Sequence, residues 1–323
     1  VIGTSAGGVE ALANLVTFLP KDLDAAILVV IHVPQSSTSY LPEILNRKGG
    51  LPAKHAKDGE RISPGQVYIA PPGRHMLLEG NIIRLNSGPR ENASRPAIDP
   101  LFRSAAKSKH ACLVSVLLSG MLDDGTLGTS AVKLRGGITL VQDPNEAPFG
   151  DMPRNAIKTG CVDEILTIED IARRLVELVG SECRPAESEG AKDPVEMNVP
   201  ELATMEAMGK PSQFVCPECH GTLFELKEDG ILHYRCRVGH SFLPDSLSSS
   251  QEVALEAALW SAVRALKEHI DLLQSMLDSA RQRGYENSAK NYEMKIEASK
   301  KRLGALTTAL PFGKNATEAA DLP

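Results

Sequence analysis

Ser5 lies in Val1-Ile-Gly-Thr-Ser-Ala-Gly-Gly8, an apolar stub that runs into a turn of small residues and then a helical pattern. A serine hydroxyl is a poor nucleophile at neutral pH and needs a base beside it. His32, in Ile31-His-Val-Pro34 at the end of the second apolar run, is of the right type. A histidine base needs an acceptor that holds its tautomer. Asp123 and Asp124, in Leu118-Ser-Gly-Met-Leu-Asp-Asp-Gly125, follow a third apolar run and supply that type. Nucleophile, base and carboxylate are the parts of a hydrolase site.

Each part alone has a plainer reading. A glycine-rich turn after a strand is more often a phosphate loop or tight packing. His32 alone is a core histidine, and Asp124-Gly125 alone a turn or a helix cap. The G-x-G-x-x-G spacing is missing, and no acidic residue ends the second run to hold a ribose, which weakens the dinucleotide reading. Convergence favours hydrolysis, because residues that follow the strands of a parallel sheet share one edge.

A second cluster stands far along the chain. Cys216-Pro-Glu-Cys219 and Cys236-Arg-Val-Gly-His240 give C-x2-C, a 16-residue spacer and C-x3-H. Thiolates with an imidazole suit tetrahedral zinc. Cys216, Cys219, Cys236 and His240 complete a closed set of four, which predicts a structural site; His220 and His233 are competing ligands. The plainer reading is a free cysteine pair. A redox pair is disfavoured because the β-α context is missing, and no cofactor is expected for catalysis.

These residues need a frame. Apolar runs at 1–3, 25–32, 66–70, 112–118 and 138–142 predict strands, several of them buried on both faces as in a parallel sheet. Helical patterns at 9–19, 125–134 and 168–179 alternate with them, and 75–78 with 81–85 predicts a hairpin turning at Glu79-Gly80. The order implies a doubly wound, mostly parallel α/β sheet (Rossmann-like) over 1–180. Residues 181–213 have linker composition, with a short helix at 199–208. Residues 214–245 read as a zinc-ribbon-like module, its strands joined at Asp229-Gly230. Residues 246–310 read as a helical hairpin and 311–323 as a disordered tail. Its seam is Leu259, Val263, Leu266, Ile270, Leu273 and Leu277, then Ala289, Tyr292, Ile296, Leu303, Leu306 and Leu310, with Ser299 filling one position and Gly284 as punctuation. An intramolecular hairpin is favoured over a homodimer through these helices.

Composition narrows the partners. The 323 residues exceed one compact core. A formal charge of -6 and only 4% aromatics argue against phosphate binding and base stacking, so no nucleic acid is expected. No apolar run nears the roughly 18 residues of a membrane span. Cys112, Cys161 and Cys183 are scattered, which beside a ligand-like cluster fits a reducing, cytoplasmic setting. The chain opens at Val1 inside a strand, without Met, and so looks trimmed at its front.

Several stretches together carry a family resemblance. Gly3-Thr-Ser-Ala-Gly-Gly8, Ile31-His-Val-Pro34 and Leu118-Ser-Gly-Met-x-x-Asp-Gly125 resemble the three motifs of chemotaxis protein-glutamate methylesterases (the CheB type). Asp58-Gly-Glu-Arg61, Tyr68-Ile-Ala-Pro71, Arg95-Pro96, Asp99, Leu101-Phe102 and Met152-Pro-Arg154 match in the same order. The resemblance spans roughly residues 1–180. It implies hydrolysis of γ-glutamyl methyl esters on a helical receptor or signalling protein, giving glutamate and methanol, with glutamine deamidation in some members. Carried over, Ser5 is the nucleophile, His32 the base, and Asp124, directly before the glycine, the orienting carboxylate; the Met121 amide matches a residue near the oxyanion site. Ala6 stands where the two-domain members have Thr, and the receiver domain that precedes their catalytic domain is not in this sequence. The readings that compete are a non-catalytic methylesterase-like scaffold and a nucleotide-binding α/β protein.

Overall fold

The computed structural model describes residues 1–180, apart from Ser36, His110 and Ala111, and residues 209–309. The expected helix at 199–208, Cys183, Leu310 and the tail lie outside the described residues. The chain divides into two units, Val1–Ser248 and Ser249–Pro323.

The first unit begins β1 (Ile2–Thr4), α1 (Gly8–Phe18), β2 (Ile27–Ile31), α2 (Leu41–Lys48), β3 (Ala53–His55) and β4 (Val67–Ile69). A hairpin of β5 (His75–Glu79) and β6 (Ile82–Asn86) follows, then α3 (Ile98–Lys109), β7 (Val114–Leu117) and α4 (Thr126–Leu134). It continues through β8 (Ile138–Gln142), α5 (Asp151–Lys158), β9 (Glu164–Leu166) and α6 (Ile168–Val179). Seven strands form one parallel sheet in the order β3-β4-β2-β1-β7-β8-β9. The chain starts in the middle, builds outward through β2, and crosses to the other side of β1 with β7. That reversal opens a crevice at the carboxyl ends of β2, β1 and β7.

Both faces of the sheet are covered, which is why its central strands read as continuous apolar runs. In β2, Val29 and Ile31 join Leu12, Leu15, Leu45 and Ile171 on one face, while Leu28 and Val30 join Met76, Leu101, Phe102 and Val132 on the other. Strand alternation thus feeds two cores from one segment. The expected strands and helices of this region are present within a few residues. Elements that periodicity did not reveal are α2, β3, α3, α5 and β9. Three of these are helices with proline in the first turn (Pro42, Pro100 and Pro153), where its missing N–H is no loss. The other two are strands of three residues, too short to carry a period.

The unit closes with an antiparallel sheet of β10 (Lys210–Val215), β11 (Thr222–Glu228), β12 (Ile231–Cys236) and β13 (Ser241–Phe242). Asp229 and Gly230 both take positive φ, 53° and 82°, as a two-residue hairpin turn requires. Cys216, Leu223, Cys236 and Phe242 form its small core. Cys161, Cys216, Cys219 and Cys236 are free, whereas Cys112 is disulfide-bonded, which departs from the scattered thiols expected of a reducing setting.

Helix α7 (Pro244–Gln282) leads into the second unit, which also holds α8 (Glu286–Ala309). Gly284, with φ 76°, breaks the chain between them. Leu273, Leu277, Ala280, Ala289 and Ile296 are buried in one cluster, with Ile270 and Tyr292 packed against it. Arg281 donates to Glu293 across the pair at 2.6 Å. No helix among the described residues is long and apolar enough to cross a membrane.

Candidate functional site

Three residues that follow adjacent strands meet in the crevice. Ser5 follows β1, and its N–H donates to the Ser119 carbonyl beyond β7 at 3.0 Å. On the other side, His32 N–H donates to the Thr4 carbonyl at 3.3 Å. Those backbone bonds set the spacing of the side chains. Ser5 Oγ lies 3.0 Å from His32 Nδ1, and His32 Nε2 lies 2.6 Å from Asp124 Oδ2. For Ser5 to donate to Nδ1, the ring must carry its proton on Nε2, where Asp124 accepts it.

The turn that presents Ser5 depends on its glycines. Gly7 has φ 75° and precedes α1; a Cβ there would stand 2.8 Å from Ser119 Oγ. Only glycine takes this backbone at so close an approach. Gly120 is similarly tight, since a Cβ on it would lie 2.2 Å from Met152 Sδ and 3.0 Å from Ser5 Cβ.

Asp124 is buried and well partnered. Oδ2 also accepts from Ile98 N–H at 2.7 Å, while Oδ1 accepts from Asn92 Nδ2 at 2.9 Å and Gly125 N–H at 3.0 Å. Burial opposes its ionisation, but the His32 hydrogen bond and attraction, with those of Ile98 and Asn92, outweigh it and hold the pKa at about 2. Asp123 turns the other way. It accepts from the N–H groups of Asp245 and Ser246 and from the Ser246 hydroxyl. Burial pushes it up to about 6, against the pull of those donors. The structure therefore brings Ser5, His32 and Asp124 together and leaves Asp123 out of the contact.

Met121 is half exposed on the loop after Gly120. Among the described residues, neither its amide nor that of Ala6 donates to a protein acceptor. Both are thus available to an oxyanion. Sequence reasoning gave no role to Asn92. It sits in a polar loop without periodicity, and only the fold brings that loop against Asp124. Asp99, noted only as a family match, is fully buried beside Asp124; burial and that neighbouring charge raise its pKa well above the carboxylate range.

In the C-terminal sheet the ligand atoms of Cys216, Cys219, Cys236 and His240 lie within 4.8 Å of one another. His220 and His233 stand outside this group. Cys219 Sγ is 3.6 Å from Cys236 Sγ, and His240 Nδ1 is 3.7 Å from Cys216 Sγ and 3.5 Å from Cys236 Sγ. Tetrahedral zinc with Zn–S ~2.3 Å and Zn–N ~2.0 Å has edges of roughly 3.5–3.8 Å. The donor set and its spacing fit that ion.

Comparisons with known proteins bear on the first unit. The family model described as CheB methylesterase matches residues 1–175. A protein-glutamate methylesterase/protein-glutamine glutaminase of Clostridium acetobutylicum is 38% identical over 180 residues, covering 55% of this chain and 52% of that protein. A putative one of Leptospira interrogans is 37% identical over 179 residues, 55% of this chain and 93% of its own length. The chain thus spans about half the length of some curated relatives and nearly all of others. The crystal structure of the Thermotoga maritima CheB methylesterase catalytic domain, 35% identical, superposes with a TM-score of 0.54, over 55% of this chain and 96% of that one.

Proposed function

The chain belongs to the CheB methylesterase family, and we propose that it hydrolyses glutamate γ-methyl esters on a helical signalling protein through Ser5, His32 and Asp124. The observation that carries this reading is the continuous contact from Ser5 Oγ to His32 at 3.0 Å and from His32 to Asp124 at 2.6 Å. A chain retained only as a scaffold or a nucleotide binder has no use for that alignment.

Ser5 Oγ attacks the ester carbonyl carbon as its proton passes to His32 Nδ1. The imidazolium is stabilised through Nε2–H by the Asp124 carboxylate, which stays ionised. The Ala6 and Met121 amides, which have no protein acceptor among the described residues, are the donors we assign to the oxygen that takes up the negative charge. Collapse of the tetrahedral species breaks the bond to the methoxy oxygen, His32 returns the proton, and methanol leaves. Water, deprotonated by His32, then attacks the acyl-serine to release glutamate and restore Ser5. A glutamine side chain follows the same route with ammonia as the leaving group, in line with the second activity in the relatives' names.

We assign Cys216, Cys219, Cys236 and His240 to a structural zinc: four protein donors leave no open position for water. The ion supplies folding energy to a sheet whose own core is small. The substrate is a methylated helical receptor or signalling protein, and the setting a cytoplasmic one. A serine-directed fluorophosphonate tests the reading: it should label Ser5 in the parent and label Asp124→Asn far more slowly. Equal labelling rates would count against the assigned roles.

A further inference from the structure

The sheet that carries the Cys216–Cys219–Cys236–His240 cluster is docked on the loop that donates to Asp124. Ser241, next to the ligand His240, donates its N–H to the Arg90 carbonyl at 3.3 Å, and its carbonyl accepts from Asn92 N–H at 2.8 Å. Residues 90–92 thereby form a parallel bridge to β13. Leu243 N–H donates to Asn92 Oδ1 at 2.9 Å. On its other side, Asn92 Nδ2 donates to Asp124 Oδ1 at 2.9 Å and to Asp99 Oδ2 at 3.0 Å.

An asparagine amide has one accepting end and one donating end. The Leu243 N–H claims the oxygen, so the NH2 group must point at the two buried carboxylates. Asn92 is itself only 6% exposed and holds a left-handed backbone, φ 50°, pinned by the Ser241 carbonyl. Each constraint on this side chain from its far side comes from the C-terminal module. The module is in turn organised around the four-donor cluster: Cys236 N–H donates to the His240 carbonyl at 3.0 Å, so a metal held by His240 would fix where Ser241 begins. A second attachment runs in parallel, where Asp123 receives the first turn of α7 while its neighbour Asp124 faces His32.

We propose that Asn92 is a positioning residue through which the metal-held C-terminal module sets the Asp124 carboxylate, so that ester hydrolysis depends on occupancy of the Cys216–Cys219–Cys236–His240 site. The proposal rests on the serine-hydrolase reading and on the zinc assignment above. Without the metal, Ser241 and Leu243 release Asn92, Asp124 loses a donor to Oδ1, and its hold on His32 Nε2–H loosens. The effect falls on turnover and not on substrate capture, because the hydrogen bonds of Asn92 among the described residues run to the carboxylates and the module.

The test compares the full chain with zinc bound, after zinc removal by a chelator, and after zinc is restored. Metal content, kcat and KM on a methyl-esterified receptor-helix peptide, and the NMR resonance of the His32 Nε2 proton are read in each state. Loss of a hydrogen bond to a charged group predicts that chelation lowers kcat about tenfold with KM nearly unchanged. The His32 Nε2 proton should move upfield, and restored zinc should reverse both changes. In Asn92→Ala with zinc bound, kcat should already be about tenfold lower, and chelation should add less than a further twofold. The proposal is overturned by a chain that holds no zinc, by zinc release that leaves kcat and the resonance unmoved, or by Asn92→Ala and chelation effects that multiply. If Asn92→Ala does not fold, the parent chain decides by its kcat and resonance. An absence of any hydrolysis by the zinc-loaded parent overturns the esterase reading instead, and the resonance still reports the coupling.

Discussion

The two adjacent carboxylates after β7 have opposite linkage to pH. Asp124 is held at about 2 in the folded chain, below its ordinary 3.8. Its folded state binds fewer protons, so its contribution is present above pH ~4 and is lost as pH falls toward 2. Asp123 is raised from 3.8 to about 6, so the folded state binds more protons there and stability falls by up to about 3 kcal/mol as pH rises from 4 to 6. Asp123→Asn should therefore gain on the parent in unfolding midpoint above pH 6 and lose that advantage below pH 4, while ester hydrolysis persists. A constant difference across that range would show that Asp123 is not the titrating group. Asp124→Asn should lower kcat by about 10²–10⁴-fold with the fold intact; wild-type turnover would remove Asp124 from the mechanism. Ser5, His32 and Asp124 were legible because each follows a recognisable apolar run. Asn92 was not, because its place beside Asp124 comes from three tertiary contacts at the two ends of one amide, and no local pattern encodes those.

At the scale of elements, the β1–α1 turn sets the nucleophile, and Gly7 is its hinge. Alanine there must hold φ near 75° with its Cβ 2.8 Å from Ser119 Oγ. The left-handed backbone alone costs about 1–2 kcal/mol, and relief of the contact moves Ser5 away from His32. Gly7→Ala should thus lose activity beyond its loss of stability, checked by kcat alongside thermal unfolding. Proportional losses would show that the turn only supports the fold. The long runs that became β2, β7 and β8 were readable because burial on both faces removes alternation. Helices α3 and α5 were hidden by prolines that look like breakers but sit in first turns, and β3 and β9 by their length of three residues. The ribbon's strands were readable from the Asp229-Gly230 turn between them, although β10 starts at Lys210, inside the stretch whose composition suggests a linker.

At the scale of the molecule, the first unit joins the Ser5–His32–Asp124 contact at the sheet edge to the Cys216–Cys219–Cys236–His240 cluster, and a helical pair forms the second. The seam predicted from spacing is buried within that pair at Leu273, Leu277, Ala289 and Ile296, with Ile270 and Tyr292 packed against them. Leu259, Leu266, Leu303 and Leu306 of the same seam are only half-buried, so self-association through these helices is a question for solution measurement. Light scattering should give the same oligomeric state for the full chain and for a chain ending at residue 250; a dimer that becomes a monomer on truncation would assign the seam to self-association. Metal analysis should find about one zinc per chain. The central claim, that Ser5 is the nucleophile of a protein-glutamate methylesterase, is tested most directly by incubating the full chain with methyl-labelled receptor fragments. Labelled methanol should be released by the parent and nearly abolished by Ser5→Ala in a protein that still folds. Methanol release at the parent rate from Ser5→Ala would contradict the account.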